Sequence, residues 1–207
     1  MNREAKRTQA PRVCRRGPCG WLLFSLLIVA GCGAGPRPAA PPACDQACQD
    51  GVALLGLRSA MKLAYNIKVA TQPVGMQDAT TPCISFDGTS RGSVHIFGNA
   101  TVNAVQGASI VDLSYDFKNC LFTAPPDPTA DQNFSLTLTG LVTEVGTISV
   151  QPTATTALDI ESGSVSVSGT VYDPSVAYAV SDCALSVMQS GNSVAGAFCG
   201  RSAGFMF

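Results

Sequence analysis

Two periodicities divide the chain. Over residues 45–65, Leu54, Leu57, Met61 and Ala64 or Tyr65 recur at three-to-four spacing, and Leu55 widens the stripe. That pattern predicts one amphipathic helix with Asp45 as its N-cap. Gly51 and Gly56 each cost about 1 kcal/mol relative to alanine inside a helix, so tertiary contact is expected to hold this one.

From about residue 83 the period becomes two. Val94, Ile96, Ala100, Val102 and Ala104 share one parity, with His95, Phe97, Asn99, Thr101 and Asn103 on the other. Val111, Leu113, Tyr115 and Phe117 alternate with Asp112, Ser114, Asp116 and Lys118. Phe134, Leu136, Leu138, Val142, Ile148 and Val150 oppose a row of Ser and Thr, and Val165, Val167 and Val171 oppose another. One face is therefore dry and one wet, which predicts antiparallel pairing. Pro125-Pro126-Asp127-Pro128, Asp173-Pro174 and Ser190-Gly191-Asn192 read as turns. The expected fold is mainly β (α+β): a curved or partly closed antiparallel sheet of about 7–9 strands, with one N-terminal helix packed on it.

A faint internal repeat runs through the strands. Gly92-Ser-Val-His-Ile-Phe-Gly98 matches Gly163-Ser-Val-Ser-Val-Ser-Gly169, and Tyr115-Asp-Phe-Lys-Asn-Cys120 matches Tyr178-Ala-Val-Ser-Asp-Cys183 in the same order. Alternating Gly, Ser and Val strands generate such matches by composition as readily as by duplication.

The first 31 of the 207 residues differ from the rest. Arg3, Lys6, Arg7, Arg12, Arg15 and Arg16 face a single acid, Glu4, ahead of an apolar run from Trp21 to Ala30. A basic n-region, a short h-region and small residues at its end make an export signal; the run is too short for a spanning helix. It ends in Val29-Ala30-Gly31-Cys32. Here the chain resembles bacterial lipoprotein precursors, whose lipobox places the lipidated cysteine directly after the cleavage point. The resemblance implies removal of residues 1–31, diacylglycerol on the Cys32 thiol and an acylated amine. With about 0.8 kcal/mol per buried methylene, two or three acyl chains anchor stably. Gly33 stands where an aspartate retains some lipoproteins at the inner membrane, so the resemblance favours the outer membrane of the cell envelope. The other reading is an ordinary cleaved signal that leaves Cys32 a free thiol.

Cleavage changes the charge. The whole chain is near neutral at −1, but the mature one carries seven basic residues against 13 acidic ones. Such a chain offers nothing to phosphate backbones, so nucleic acid is not an expected partner. Cys32 being lipidated, Cys44, Cys48, Cys83, Cys120, Cys183 and Cys199 remain, an even number that in an exported protein reads as three disulfides. The repeat implies Cys83–Cys120 and Cys183–Cys199. Cys44–Cys48 is then a staple at the helix start, where a regular turn suits it poorly. Residues 32–43 are the lipidated cysteine and a Pro/Ala/Gly tether, long enough to hold residues 44–207, a single domain, about 30 Å from the bilayer.

Candidate chemistry is thin. Gly88-Thr-Ser90-Arg-Gly92 and Gly200-Arg-Ser202-Ala-Gly204 match G-x-S-x-G, but that motif needs a strand turning into a helix, and neither is followed by one. His95 lies on the polar parity with no acid close in sequence. Asp127, Asp131 and Asn133 do not have EF-hand spacing. No metal site, cofactor site or catalytic residue is assigned. The Ser/Thr rows make a broad, nearly uncharged hydroxyl face that could meet glycan, though only Phe97 and Tyr172 offer stacking rings on that parity. The terminal Gly-Phe-Met-Phe207 reads as a strand closing the domain. The expected function is a non-enzymatic structural or binding module, held to the membrane through acyl chains on Cys32, with an envelope protein as partner. The alternative is a carrier of an apolar, lipid-like ligand, motivated by Gly98, Ala100, Ala104, Gly140 and Gly169, which leave room between helix and sheet. An envelope hydrolase comes last.

Overall fold

The computed structural model describes residues 43–70, 74–86, 88–103, 105, 107–124, 129–149 and 155–207. The lipobox, the tether up to residue 42, Ala104, Val150 and residues 125–128 with Asp127, expected as a turn, lie outside the described residues. Pro42–Phe207 forms one compact unit.

Helix α1 runs Gln46–Lys68. Asp45 keeps an extended backbone, and its side chain accepts from the Cys48 amide at 2.9 Å, satisfying one of the orphan donors of the first turn. Cys44 therefore lies ahead of the cap. The Cys44–Cys48 disulfide spans 5.2 Å between Cα atoms without taking a residue out of the helix, and the distortion expected from sequence does not arise. The helix continues one turn past its expected end, to Lys68 beside the C-terminal carbonyls.

Eight strands follow in a meander: β1 Gly75–Ile84, β2 Ser90–Asn103, β3 Ala108–Thr123, β4 Phe134–Ser149, β5 Ala157–Val171, β6 Val176–Ser190, β7 Ser193–Phe198 and β8 Arg201–Met206. Each pairs antiparallel with the next, in the order β1 to β8, so the sheet is open rather than closed. Its first strand escaped the sequence reading because Gln77 and Thr81 occupy the inward parity among polar neighbours. Pro82 and the exposed Asp78 suit an edge position.

The inward parity forms the core. Ile96, Leu113, Tyr115, Phe117, Leu136, Leu138, Val142, Val165 and Val167 are fully buried, together with Leu57 and Met61 of the helix. Val102, at the margin of β2, is exposed instead. The helix packs on β1 to β5 and β8 and bonds to β6 through Asp50 and Arg58, so the sheet curls around it. Its two glycines meet different strands: a Cβ on Gly51 would lie 2.8 Å from the Gly204 carbonyl of β8, and one on Gly56 2.6 Å from Leu136 of β4. Close approach is what offsets their poor helix propensity.

The repeat has structural content. Gly98 and Gly169 adopt φ of +130° and +145°, and a Cβ there would meet the Asp112 and Ser135 carbonyls at 2.2 and 2.0 Å. Asn119 and Asp182 have φ of +49° and +51° at bulges in β3 and β6. Each directly precedes a bridged cysteine: Cys83–Cys120 ties β1 to β3, and Cys183–Cys199 ties β6 to the β7–β8 turn. Gly92 and Gly163 do not correspond, since only Gly92 has positive φ.

Candidate functional site

Burial of charge is the feature the hydrophobic pattern conceals. Asp50 and Arg58 both occupy the sheet-facing side of α1, about 12 Å apart along the axis at 1.5 Å per residue. Asp50 is fully buried and accepts from Gln46 Nε2 at 3.0 Å, Tyr178 Oη at 2.7 Å, Arg201 Nε at 2.7 Å and Arg201 Nη2 at 2.9 Å. Burial alone would raise the Asp50 carboxyl; the bonds from Arg201, Tyr178 and Gln46, with the Arg201 charge, hold it below its ordinary value. Burial, then the bond to Asp50 and its charge, drive the Tyr178 hydroxyl far above the usual phenol range.

Toward the middle of the helix the polarity reverses. Arg58 Nη2 lies 3.2 Å from Glu144 Oε1 in β4, with side chains 6% and 0% exposed. Tyr115 Oη donates to Glu144 Oε2 at 2.6 Å, and Arg58 Nε donates to Gln189 Oε1 at 2.7 Å. Gln189 Nε2 in turn donates to the Gly191 carbonyl at 2.8 Å, which ties the network to the β6–β7 turn. Burial and the adjoining Glu144 carboxylate raise the Tyr115 hydroxyl well above its ordinary value. The two halves echo each other: Tyr115 and Tyr178, equivalent in the repeat, each donate to the carboxylate of a helix-to-sheet ion pair.

The opposed polarity orients the helix. Helix acid meets sheet base at one level, and helix base meets sheet acid at the other. Reversing α1 or sliding it by a turn would strand buried charges, which costs several kcal/mol per ion. Among the described residues, the buried side-chain atoms Arg58 Nη1 and Tyr65 Oη have no hydrogen-bond partner, and Glu144 Oε1 has the Arg58 ion pair alone. Arg58 and Tyr65 line a cavity of about 240 Å³ with Lys62, Asn66, Gln189 and Phe207, at the C-terminal half of the helix. Lys62 Nζ stands 5.5 Å over the Phe207 ring at its rim.

Other sequence candidates fall elsewhere. Ser90 begins β2 and Ser202 lies within β8, so neither sits on a strand-to-helix elbow. His95 does have an acid partner: β1 brings Asp78 Oδ1 to 2.7 Å from its Nε2, on the exposed side of the sheet. The hydroxyl face is less neutral than its Ser/Thr rows suggest. Asp78, Asp112, Asp159, Glu161 and Asp182 are all exposed, and Tyr172 is buried at the end of β5 rather than offered for stacking. Asp131 is exposed in the short 3-10 turn Ala130–Gln132, and among the described residues no cluster of metal-ligating side chains occurs. Two further cavities touching the helix measure about 270 and 10 Å³.

Sequence reasoning missed Asp50, Arg58, Glu144 and Gln189. The signal was present in each case as a polar residue on an apolar face: Glu144 follows Val142, Gln189 follows Val187, and Asp50 and Arg58 lie one turn before and after Leu54. No protein-family model, curated protein or solved structure matches this chain.

Proposed function

We propose that this protein is a membrane-tethered, non-enzymatic binding module of the bacterial cell envelope, anchored through acyl chains on Cys32 and facing an oxidising compartment. The observation that carries the binding reading is the cavity of about 240 Å³ beside α1, whose lining sets Arg58, Lys62, Asn66 and Gln189 against the apolar Ile148 and Phe207. A concave site that combines apolar wall with a few polar groups is the usual setting for a small ligand. Three disulfides support export to an oxidising compartment. The leader supports the tether, and Gly33 supports the outer membrane.

Radiolabelled palmitate tests the tether. Wild-type protein incorporates label and sediments with outer membranes, whereas Cys32→Ser remains unlabelled. Label retained by Cys32→Ser overturns the anchor. A turnover activity that falls on Ser90→Ala or His95→Ala overturns the non-enzymatic reading.

A further inference from the structure

The face of the sheet turned away from α1 carries chemistry of its own. Its outward residues stand in register across the strands: Asp112 pairs with Val145, Val145 with Asp159 and Asp159 with Met188. Carboxylate and apolar side chain therefore alternate from β3 to β6 at about 4.8 Å per strand. Val145 is 46% exposed, Met188 68%, and Ile110, two residues before Asp112, 51%. Two residues beyond Asp159 along β5, Glu161 lines a shallow hollow of about 410 Å³ with Leu141, Thr143 and Ser186. The hollow lies where the β4–β5 and β5–β6 registers shift.

Among the described residues no cation answers these acids. On this face His95 pairs with Asp78 at 2.7 Å, Lys118 with Asp116 at 2.9 Å, and Arg91 donates to Thr137 at 2.7 Å. None of them engages Asp112, Asp159 or Glu161. Strand geometry sets Asp159 about 7 Å from Glu161 and about 10 Å from Asp112. Those separations are close to the Debye length of about 8–10 Å, so the three carboxylates act as one field.

We infer that this face docks a cationic, partly apolar polypeptide segment of a partner protein. A Lys or Arg of the segment enters the hollow against Glu161, further basic side chains meet Asp159 and Asp112, and apolar side chains between them cover Val145 and Met188. The strip from β3 to β6 measures about 15 by 20 Å, or roughly 300 Å². A stable globular interface takes about 800 Å² per partner, so the strip suits a segment rather than a domain. A second copy of the chain would set the same carboxylates against these, and like charges across a contact reject a partner. Phosphate-bearing polymers are repelled for the same reason.

Surface plasmon resonance tests this on the full lipidated chain held in phosphatidylcholine vesicles, with protein-free vesicles as the reference. The probes are two short synthetic peptides, one alternating lysine with leucine and one alternating lysine with serine. The lysine–leucine peptide is expected to bind saturably and to weaken as salt rises. Asp159→Asn/Glu161→Gln is expected to weaken it about tenfold, as the loss of two exposed ion pairs allows, and Met188→Gln about threefold. All three replacements are of exposed side chains, so the variants fold as the wild type does. No saturable binding, binding unchanged in the double variant, or a lysine–serine peptide that binds as tightly overturns the inference. These variants leave the lining of the cavity beside α1 untouched, so the two readings fail separately.

Discussion

Replacing Arg58 by methionine separates the two roles of a buried ion pair, stability and orientation. Methionine keeps the unbranched stem and most of the volume but removes the charge. Glu144 is fully buried, and after the change it retains only the 2.6 Å bond from Tyr115. Breaking one side of a buried pair costs about 3–5 kcal/mol, because the other charge stays desolvated. At about 2–4 °C per kcal/mol for a chain of this size, the midpoint should fall by about 6–20 °C. The triple variant Arg58→Met, Glu144→Leu, Tyr115→Phe removes cation, anion and hydroxyl together. Only Gln189 Oε1 then loses a partner, and Gln189 lines the cavity, where water can reach it. The triple variant should regain at least half of the single variant's loss. Circular dichroism melts of the two variants and the wild type provide the assay. A loss below about 1 kcal/mol in Arg58→Met, or a triple variant no more stable than the single one, refutes the account of a desolvated carboxylate held by its partner.

Acid should act through Asp50: its folded-state carboxyl is held below the ordinary 3.8, so its stabilisation is present above that pH and is lost as pH falls through the lower folded value. Asp50→Asn should flatten urea-derived stability below about pH 4, and an unchanged acid slope would count against this. Tyr115 and Tyr178, both raised, should remain protonated in the folded protein past the ordinary phenol value of 10.0, with stability lost as pH rises above it. Absorbance at the phenolate band tracks this; four tyrosines ionising together near pH 10 in folded protein would contradict it. Cys83→Ala/Cys120→Ala opens a loop of 37 residues and should cost about 4 kcal/mol, against about 3 for Cys183→Ala/Cys199→Ala across 16. Gly169→Ala, at φ +145° with the Ser135 carbonyl 2.0 Å from its Cβ, should lose more than the roughly 1 kcal/mol of an ordinary glycine replacement, read by urea denaturation.

The helix, the antiparallel sheet and its inward residues were legible from residue order alone. A period near 3.6 or of two, sustained over a whole element, reports which side meets water, and that local signal survives folding. Leu54, Leu57 and Met61 in α1, and Leu113, Tyr115 and Phe117 in β3, are buried as their spacing requires. Cys120 and Cys183, equivalent in the repeat, are both bridged as expected, but toward opposite sides of the sheet: Cys120 back to β1 and Cys183 forward to the β7–β8 turn.

What residue order could not reveal is how a charge on an apolar parity is paired. Asp50 and Arg201 are far apart in sequence, as are Arg58 and Gln189; only the meander brings β8 and β6 to the helix. The same is true of β1, whose polar inward row becomes a strand by pairing with β2, and of Asp78, which meets His95 through that pairing. Closure was likewise a tertiary outcome: the curl around α1 brings both edge strands to the helix without joining them to each other. Periodicity is a property of each element and its exposure to water. Charge pairing, cavity lining and sheet closure are properties of distant elements meeting, and nothing within a single stretch of chain encodes that meeting.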